Sequence, residues 1–343
     1  MDSGCYTALI TPFAEDDVDH NGLLQLIKFQ VANGITGILA VGTTGESPTL
    51  DWNEHHQVIE AVTTNTKGKC LCIAGTGSNN TRESLSATEQ AFHVGVDAVL
   101  LVDPYYNGPS SLEIRKEYVE PIANAFPDLK IIPYVIPGRT GAQLLPEDLA
   151  VLYSEYKNVD TVKEATANLD NMKRTRECCG QGFTILSGDD SMTYKMMADP
   201  EINAAGVISV ISNIAPKAVA DMVYFLSQGN QAEAKNLMTA LEPLFNLVAV
   251  TTKETTPYGE VVCRARSPLP VKSLMSVLGM PSGHCRQPLG KMTKNGMNVV
   301  IDAARSVHAA HPEVFQPIVD FFKVDIDERL NNPSYREDLC YHN

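Results

Sequence analysis

The chain has 343 residues, 44% hydrophobic and 20% charged, an ordinary globular balance with length for one large core or two modest ones. Asp and Glu number 41 against 27 Lys and Arg, a formal charge of -14 that disfavours nucleic acid and anionic membrane as partners. Small anionic substrates stay open, because a local Arg or Lys decides those. No apolar run approaches the roughly 20 residues of a membrane-crossing helix, and MDSGCYTALITPF runs straight into strand-like sequence without a signal-peptide pattern. The eight cysteines, Cys5, Cys70, Cys72, Cys178, Cys179, Cys263, Cys285 and Cys340, show neither zinc-knuckle nor CxxC spacing. A cytoplasmic protein with reduced thiols is expected.

Short β-rich apolar runs recur along the first two thirds of the chain. They are CYTALIT (5–11), GILAVGT (37–43), CLCIAGT (70–76), AVLLVD (98–103), KIIPYVI (130–136), VDTVKEA (159–165), FTILSGD (183–189) and GVISV (206–210). Each is apolar on both faces, as strands covered on both sides should be. Helix-patterned segments lie between them: GLLQLIKFQVANG, TRESLSATEQAFHVG, RKEYVEPIANAF and LPEDLAVLYSEY. Ser47-Pro48 reads as an N-cap with proline at the first helical position. Thr81 followed by Glu83-Ser84 opens another helix, and Gly34 and Gly95 sit where C-caps belong. Eight alternations predict an α/β fold of the (β/α)8 TIM-barrel type. An open doubly wound sheet would carry a glycine-rich fingerprint after its first strand, and TPFAEDD is not one.

After residue 215 the pattern turns helical, in APKAVADMVYFLSQG, QAEAKNLMTALEPLFNLVAV and PLPVKSLMSVLG. Residues 251–266, TTKETTPYGEVVCRAR, read as a polar, irregular loop or insertion, and 291–310 as helix. The tail carries one short helical candidate, EVFQPIVDFFKV. The expected division is a barrel catalytic domain over 1–225, a C-terminal helical region over 226–310, and a partly ordered tail over 311–343.

In such a barrel the catalytic groups lie where strands end. The second strand ends in GTTGES, the fourth in DPYYNGPS, the fifth in PYVIPGRTG, the sixth in VKEAT and the seventh in SGDD. GTTGES (42–47) fits an anion-holding loop of glycines, hydroxyls and free N–H groups, or a tight turn with Glu46 and Ser47 serving a helix N-terminus. No lysine follows its second glycine, so it is not a P-loop. Tyr105 and Tyr106 fit either a subunit contact or a proton-shuttling phenol. Tyr134 is a strand tyrosine, suited to packing or to acid–base work. Arg139 offers a bidentate fork for a carboxylate, or a loop salt bridge. Asp189 and Asp190 suit helix capping better than metal binding, and no metal site is expected. The histidines (His20, His55, His56, His93, His284, His308, His311 and His342) fall mostly in helices or the tail, and none is assigned a catalytic role.

Lys163, with Glu164 directly after it, ends a buried-looking strand. Lysine amines have an ordinary pKa of about 10.4 and attack carbonyls only when neutral. Burial at a barrel mouth disfavours the charged form. A neutral amine there forms a Schiff base with a ketone, an electron sink for making or breaking carbon–carbon bonds. That chemistry needs a proton shuttle, hence tyrosines, and a carboxylate holder, hence the Thr43-Thr44 loop.

GTTGES, DPYYN, PYVIPGRTG, VKEAT, SGDD and GVISV, in this order and spacing, resemble the dihydrodipicolinate synthase branch of the pyruvate-dependent class I aldolases. The resemblance covers roughly residues 4 to 250 and resumes at SPLPVKSLMSVLG. It implies condensation of pyruvate, held on Lys163 as a Schiff base with no separate cofactor, with aspartate semialdehyde in the diaminopimelate route to lysine. By the same resemblance Tyr134 is the general acid/base. Thr43 links it to Tyr106, which comes from a neighbouring subunit of a homodimer or homotetramer. Thr44 holds the pyruvate carboxylate, Arg139 meets that of the second substrate, and Gly188 and Ile208 line the pocket. A lysine effector site is implied at Ser47, Pro48, Trp52, His55, Asn79, Glu83 and Tyr105. The family's usual Asn after the catalytic tyrosine is Val135 here, and NPIPVK is SPLPVK with Ser267. Two other readings are a sister aldolase, such as N-acetylneuraminate lyase or a 2-keto-3-deoxy sugar acid aldolase, and a barrel that binds a keto acid without turning it over. Thr44 and the arginine of GRTG favour the synthase over the first. The complete set of Lys163, Tyr134, Thr43 and Tyr106 argues against the second.

Overall fold

The computed structural model describes residues 1–341; His342, among the histidines considered above, and Asn343 lie outside the described residues. Eight parallel strands form a closed barrel: β1 (Gly4–Ala8), β2 (Gly37–Ala40), β3 (Leu71–Gly75), β4 (Ala98–Val102), β5 (Lys130–Val135), β6 (Thr161–Glu164), β7 (Thr184–Ser187) and β8 (Gly206–Ser209). Each pairs with its sequence neighbours, and β8 closes on β1 in a register running from Gly4 opposite Gly206 to Thr7 opposite Ser209. Seven of the eight strands fall within the apolar runs that predict them, β1 starts one residue earlier at Gly4, and the closing pair excludes an open sheet. A side chain at Gly206 would collide with the Gly4 backbone, so glycine is what lets the last strand approach the first.

Strand alternation divides the apolar residues into two cores. Tyr6, Ala8, Leu39, Ile73, Ala98, Leu100, Ile132, Tyr134, Leu186 and Ile208 fill the barrel interior. Their neighbours, among them Cys5, Ile38, Val99, Val135, Val162 and Val207, point outward into the layer shared with the helices. Both strand faces are therefore buried, which is why the runs read as continuously apolar rather than alternating.

The helix after β2 starts later than Ser47-Pro48 suggests. Ser47–Thr49 is a short 3-10 turn, and the helix Trp52–Thr66 is capped by Asp51, whose side chain accepts from the Glu54 N–H in a reciprocal capping box. The expected opening at Thr81 is observed, with Asn80 as the N-cap of Thr81–Val94 and Gly95 as a left-handed C-cap at φ 89°.

Residues 251–266 are not an irregular loop. They belong to an antiparallel hairpin, β9 (Ala249–Thr256) and β10 (Gly259–Arg266), paired from Ala249 opposite Arg266 to Thr256 opposite Gly259. Most of its side chains are exposed, so no apolar face marks it as sheet; its β-branched threonines and valines are the only sequence signal. The helix expected over 231–250 accordingly ends at Phe245. Helices Leu269–Val277 and Lys294–Ala310 follow.

The tail is more ordered than expected. It forms the helices Gln316–Phe322 and Ile326–Asn331, and Cys340 bridges back to Met292. Phe315, Ile318, Ile326 and Leu330 join the same apolar cluster as Leu26, Leu244 and Leu274. Phe321 and Phe322 pack against Phe29 of the first barrel helix, with ring centroids 5.4 and 5.2 Å away. Among the described residues no helix is long and apolar enough to cross a membrane.

Candidate active site

Alternation along β6 sends Thr161 and Lys163 inward, and Val162 and Glu164 outward. Glu164 is thus separated from the amine beside it in sequence. It is buried in the helix layer and accepts from the Thr166 N–H at 2.7 Å and the Asn171 side-chain amide at 3.0 Å. Lys163 is 5% exposed and lies opposite Tyr134 of β5 in the sheet register. Its Nζ stands 4.1 Å from the centre of the Tyr134 ring. Burial lowers its pKa from an ordinary 10.5 to about 7; the Asp190 carboxylate opposes this and the Arg139 charge adds to it. Near neutral pH a large fraction of this amine is unprotonated.

Burial pushes the Tyr134 phenol up to about 12, against a lowering by the Arg139 charge and the Thr43 side chain. Tyr134 therefore keeps its proton at pH 7 and has it to give. Asp190, expected as a capping residue, accepts from the Ser209 hydroxyl and from the backbone N–H groups of Val210 and Ile211. Asp189 caps the next turn through the Ser191 N–H at 2.9 Å.

Gly188 is required by its neighbour. A Cβ there would come within 2.8 Å of the Ala165 methyl and 3.0 Å of the Lys163 Cε. The Gly188→Ala variant is expected to lower kcat/KM by roughly a hundredfold, the scale of a misplacement of about 1 Å, with its circular dichroism spectrum unchanged. Wild-type rates would show that Lys163 has slack at this contact.

A cavity of about 200 Å³ opens above the barrel, lined by Thr43, Ser47, Pro48, Tyr105, Tyr134 and Arg139 among others. Lys163 does not line it; its Nζ lies against the Tyr134 ring, which does. Ile208 is buried in the barrel interior with Tyr134. Thr44 does not line this cavity; it is buried with its hydroxyl 3.3 Å from that of Ser267. Within one chain the structure does not bring Tyr106 to Lys163. Tyr106 is 94% exposed and held at φ 78°, an uncommon backbone for a bulky residue. Val135 points into the outer core, away from the lysine.

The residues implied for an effector site form a connected run beside the cavity. The Ser47 hydroxyl is 2.8 Å from His55 Nε2, and Trp52 packs on His55 with ring centres 5.1 Å apart. Burial holds His55 neutral, with its pKa lowered to about 4. Asn79 accepts from the Tyr105 N–H at 2.7 Å, and Trp52 and Glu83 line a neighbouring cleft.

One pair escapes the sequence reading. Glu46 serves no helix N-terminus. It is fully buried and forms a 2.7 Å ion pair with Lys272, itself 1% exposed. The visible signal was a lysine inside the otherwise apolar SPLPVKSLMSVLG.

A closed parallel barrel whose strand ends gather a deprotonatable lysine, a protonated phenol and an arginine defines an aldolase-like lyase. The chain belongs to the Dihydrodipicolinate synthetase family, whose profile matches residues 1–306. It is 41% identical over 292 residues to the 4-hydroxy-tetrahydrodipicolinate synthase of Methanococcus maripaludis, covering 85% of this chain and 94% of that protein. The dihydrodipicolinate synthase of Aquifex aeolicus matches it with a TM-score of 0.80 at 37% identity, over 92% of this chain and 99% of that one. The Cyanidioschyzon merolae enzyme, solved with lysine bound, matches with a TM-score of 0.80 at 33% identity, over 89% and 98%.

Proposed function

We propose that this chain is a 4-hydroxy-tetrahydrodipicolinate synthase that condenses pyruvate with L-aspartate 4-semialdehyde. The observation that carries the chemistry is the Lys163 amine, buried, lowered to about 7 and set against the Tyr134 ring. The relatives' names supply the product.

The neutral amine attacks the pyruvate ketone, and the carbinolamine loses water to give an iminium. Tyr134 moves the protons of that step. Loss of a proton from the pyruvate methyl gives an enamine, whose carbon attacks the aldehyde of the second substrate. The amine of that substrate then adds to the Schiff-base carbon and expels Lys163, closing the ring. One water is released per turnover and no oxidant or other cofactor is needed. Thr43 and the Tyr106 of a neighbouring subunit complete the proton relay, in a homodimer or a dimer of dimers. Thr44 orients the pyruvate carboxylate and Arg139 that of the aldehyde. Lysine acts as an effector through the run from Ser47 to Tyr105, and the enzyme works in the cytoplasm.

Borohydride reduction in the presence of pyruvate tests the reading. It should add the reduced pyruvyl group to the peptide containing Lys163, and aspartate semialdehyde should be consumed in preference to sugar aldehydes. No adduct at Lys163 would overturn the Schiff-base reading, and preference for a sugar aldehyde would overturn the choice of substrate.

A further inference from the structure

The foot of the hairpin β9–β10 is anchored at the barrel mouth. Its second strand ends at Arg266, and the next residue, Ser267, gives its carbonyl to Arg139 Nη2 at 3.1 Å. In return Arg266 Nη1 donates to the Gly138 carbonyl at 3.1 Å. These two crossed bonds fix the foot of the hairpin to the turn Pro137–Thr140 that carries Arg139. Arg264 lies two residues back on β10, on the same strand face as Arg266. The pKa of the Arg139 guanidinium is lowered first by desolvation; Tyr134 opposes this, and the nearby charges of Arg266 and Arg264 lower it further.

None of the three has a carboxylate partner among the described residues, whereas Arg115, Arg174, Arg286 and Arg305 all do. Arg82, Arg176, Arg329 and Arg336 also lack one among the described residues; what sets these three apart is that they lie together at the barrel mouth. Three guanidiniums held together repel one another, and an anion among them relieves the repulsion. Arg139 lines the same cavity as Tyr134, the ring against which Lys163 is set, so the anion they suit is one that enters there.

We propose that Arg264 and Arg266 join Arg139 in an anion site at the barrel mouth that takes the carboxylate of the incoming aldehyde. The hairpin thereby becomes a specificity element for the second substrate. This rests on the synthase reading above, in which pyruvate is already fixed on Lys163 when the aldehyde arrives. The fork of a guanidinium matches a carboxylate by two parallel N–H bonds, and the added arginines strengthen that grip where water is partly excluded.

The Arg264→Gln/Arg266→Gln variant, assayed with pyruvate and aspartate semialdehyde, tests it. KM for the aldehyde should rise roughly tenfold, the loss expected for a charge-assisted contact. KM for pyruvate should move by less than about threefold and the effect should fall on KM rather than kcat. The fall of kcat/KM for the aldehyde between low and high ionic strength should flatten, since a screened charge site is being removed. Arg264→Lys/Arg266→Lys keeps the charge and should recover most of the aldehyde affinity. An unchanged aldehyde KM, an equal rise in the pyruvate KM, or a lysine variant as impaired as the glutamine one would each overturn the proposal. Borohydride trapping of pyruvate on the glutamine variant separates the two claims: an adduct should still form at Lys163, and its absence in the wild-type enzyme would count against the Schiff base, not against the hairpin.

Discussion

Replacing Lys163 by alanine is expected to lower turnover by about four to six orders of magnitude, the scale seen when a covalent nucleophile is removed, and to abolish the borohydride adduct. The expectation follows from the geometry of β6 and β5. Lys163 is the amine that the strand register sets against the phenol of Tyr134. The same burial fixes the pH dependence. Because the proposed nucleophile is the unprotonated amine and its pKa is lowered to about 7, kcat/KM for pyruvate should rise with pH through about 7 and then level off. An inflection near 10 would mean that the amine is not desolvated. Burial also has a thermodynamic signature. The folded-state pKa lies below the unfolded one, so between about 7 and 10.5 the unfolded chain binds the extra proton. Stability contributed by this residue therefore rises with pH across that window, and its full penalty is felt below 7. In Lys163→Ala this part of the pH dependence should vanish from urea unfolding curves.

The barrel was legible because its physics is local. Strands buried on both faces must be apolar throughout, and the helices between them must not be, so eight repeats of that contrast define the closure. Lys163 was legible as an amine where an apolar residue belonged, and Tyr134 and Arg139 as polar groups at strand ends. Alternation from Tyr134 also places Val135 outside the barrel, so the family's usual asparagine there would face the outer layer rather than the lysine. The hairpin was not legible, since the half-buried face of its first strand is largely polar (Thr252, Glu254, Thr256) and leaves no apolar alternation to find. The folded tail was missed because its anchors, such as Phe315 and Ile326, are sparse between Pro, Asp and Asn. Tyr106 shows the limit from the other side: its exposure in one chain fits a role in a neighbour, but no strand of this barrel brings it to Lys163.

Glu46 and Lys272, 226 residues apart, could not be joined by local reading, and their separation predicts the second large effect. Lys272 Nζ donates to the Glu46 carboxylate and to the carbonyls of Thr11 and His284, both at 3.0 Å. Glu46 accepts in addition from the Arg286 N–H at 2.9 Å. Thr11 closes the circuit by donating its hydroxyl to the Gly45 carbonyl at 2.7 Å. The loop of Thr43 and Thr44 is thus tied to the C-terminal helix Leu269–Val277 at the residue right after Gly45, where Glu46 sits at a left-handed φ of 58°. Breaking one partner of a buried pair leaves the other charge uncompensated, which costs about 3–5 kcal/mol. Lys272→Met and Glu46→Gln should each lose stability on that scale in urea unfolding, while Glu46→Gln/Lys272→Met should lose much less than their sum. Because the pair holds the Thr43 loop, the single variants should also raise KM for pyruvate under conditions where they remain folded. Losses below about 1 kcal/mol would place the pair among ordinary surface bridges. A normal pyruvate KM in a folded, destabilised variant would show that the clamp stabilises the barrel without positioning its loop.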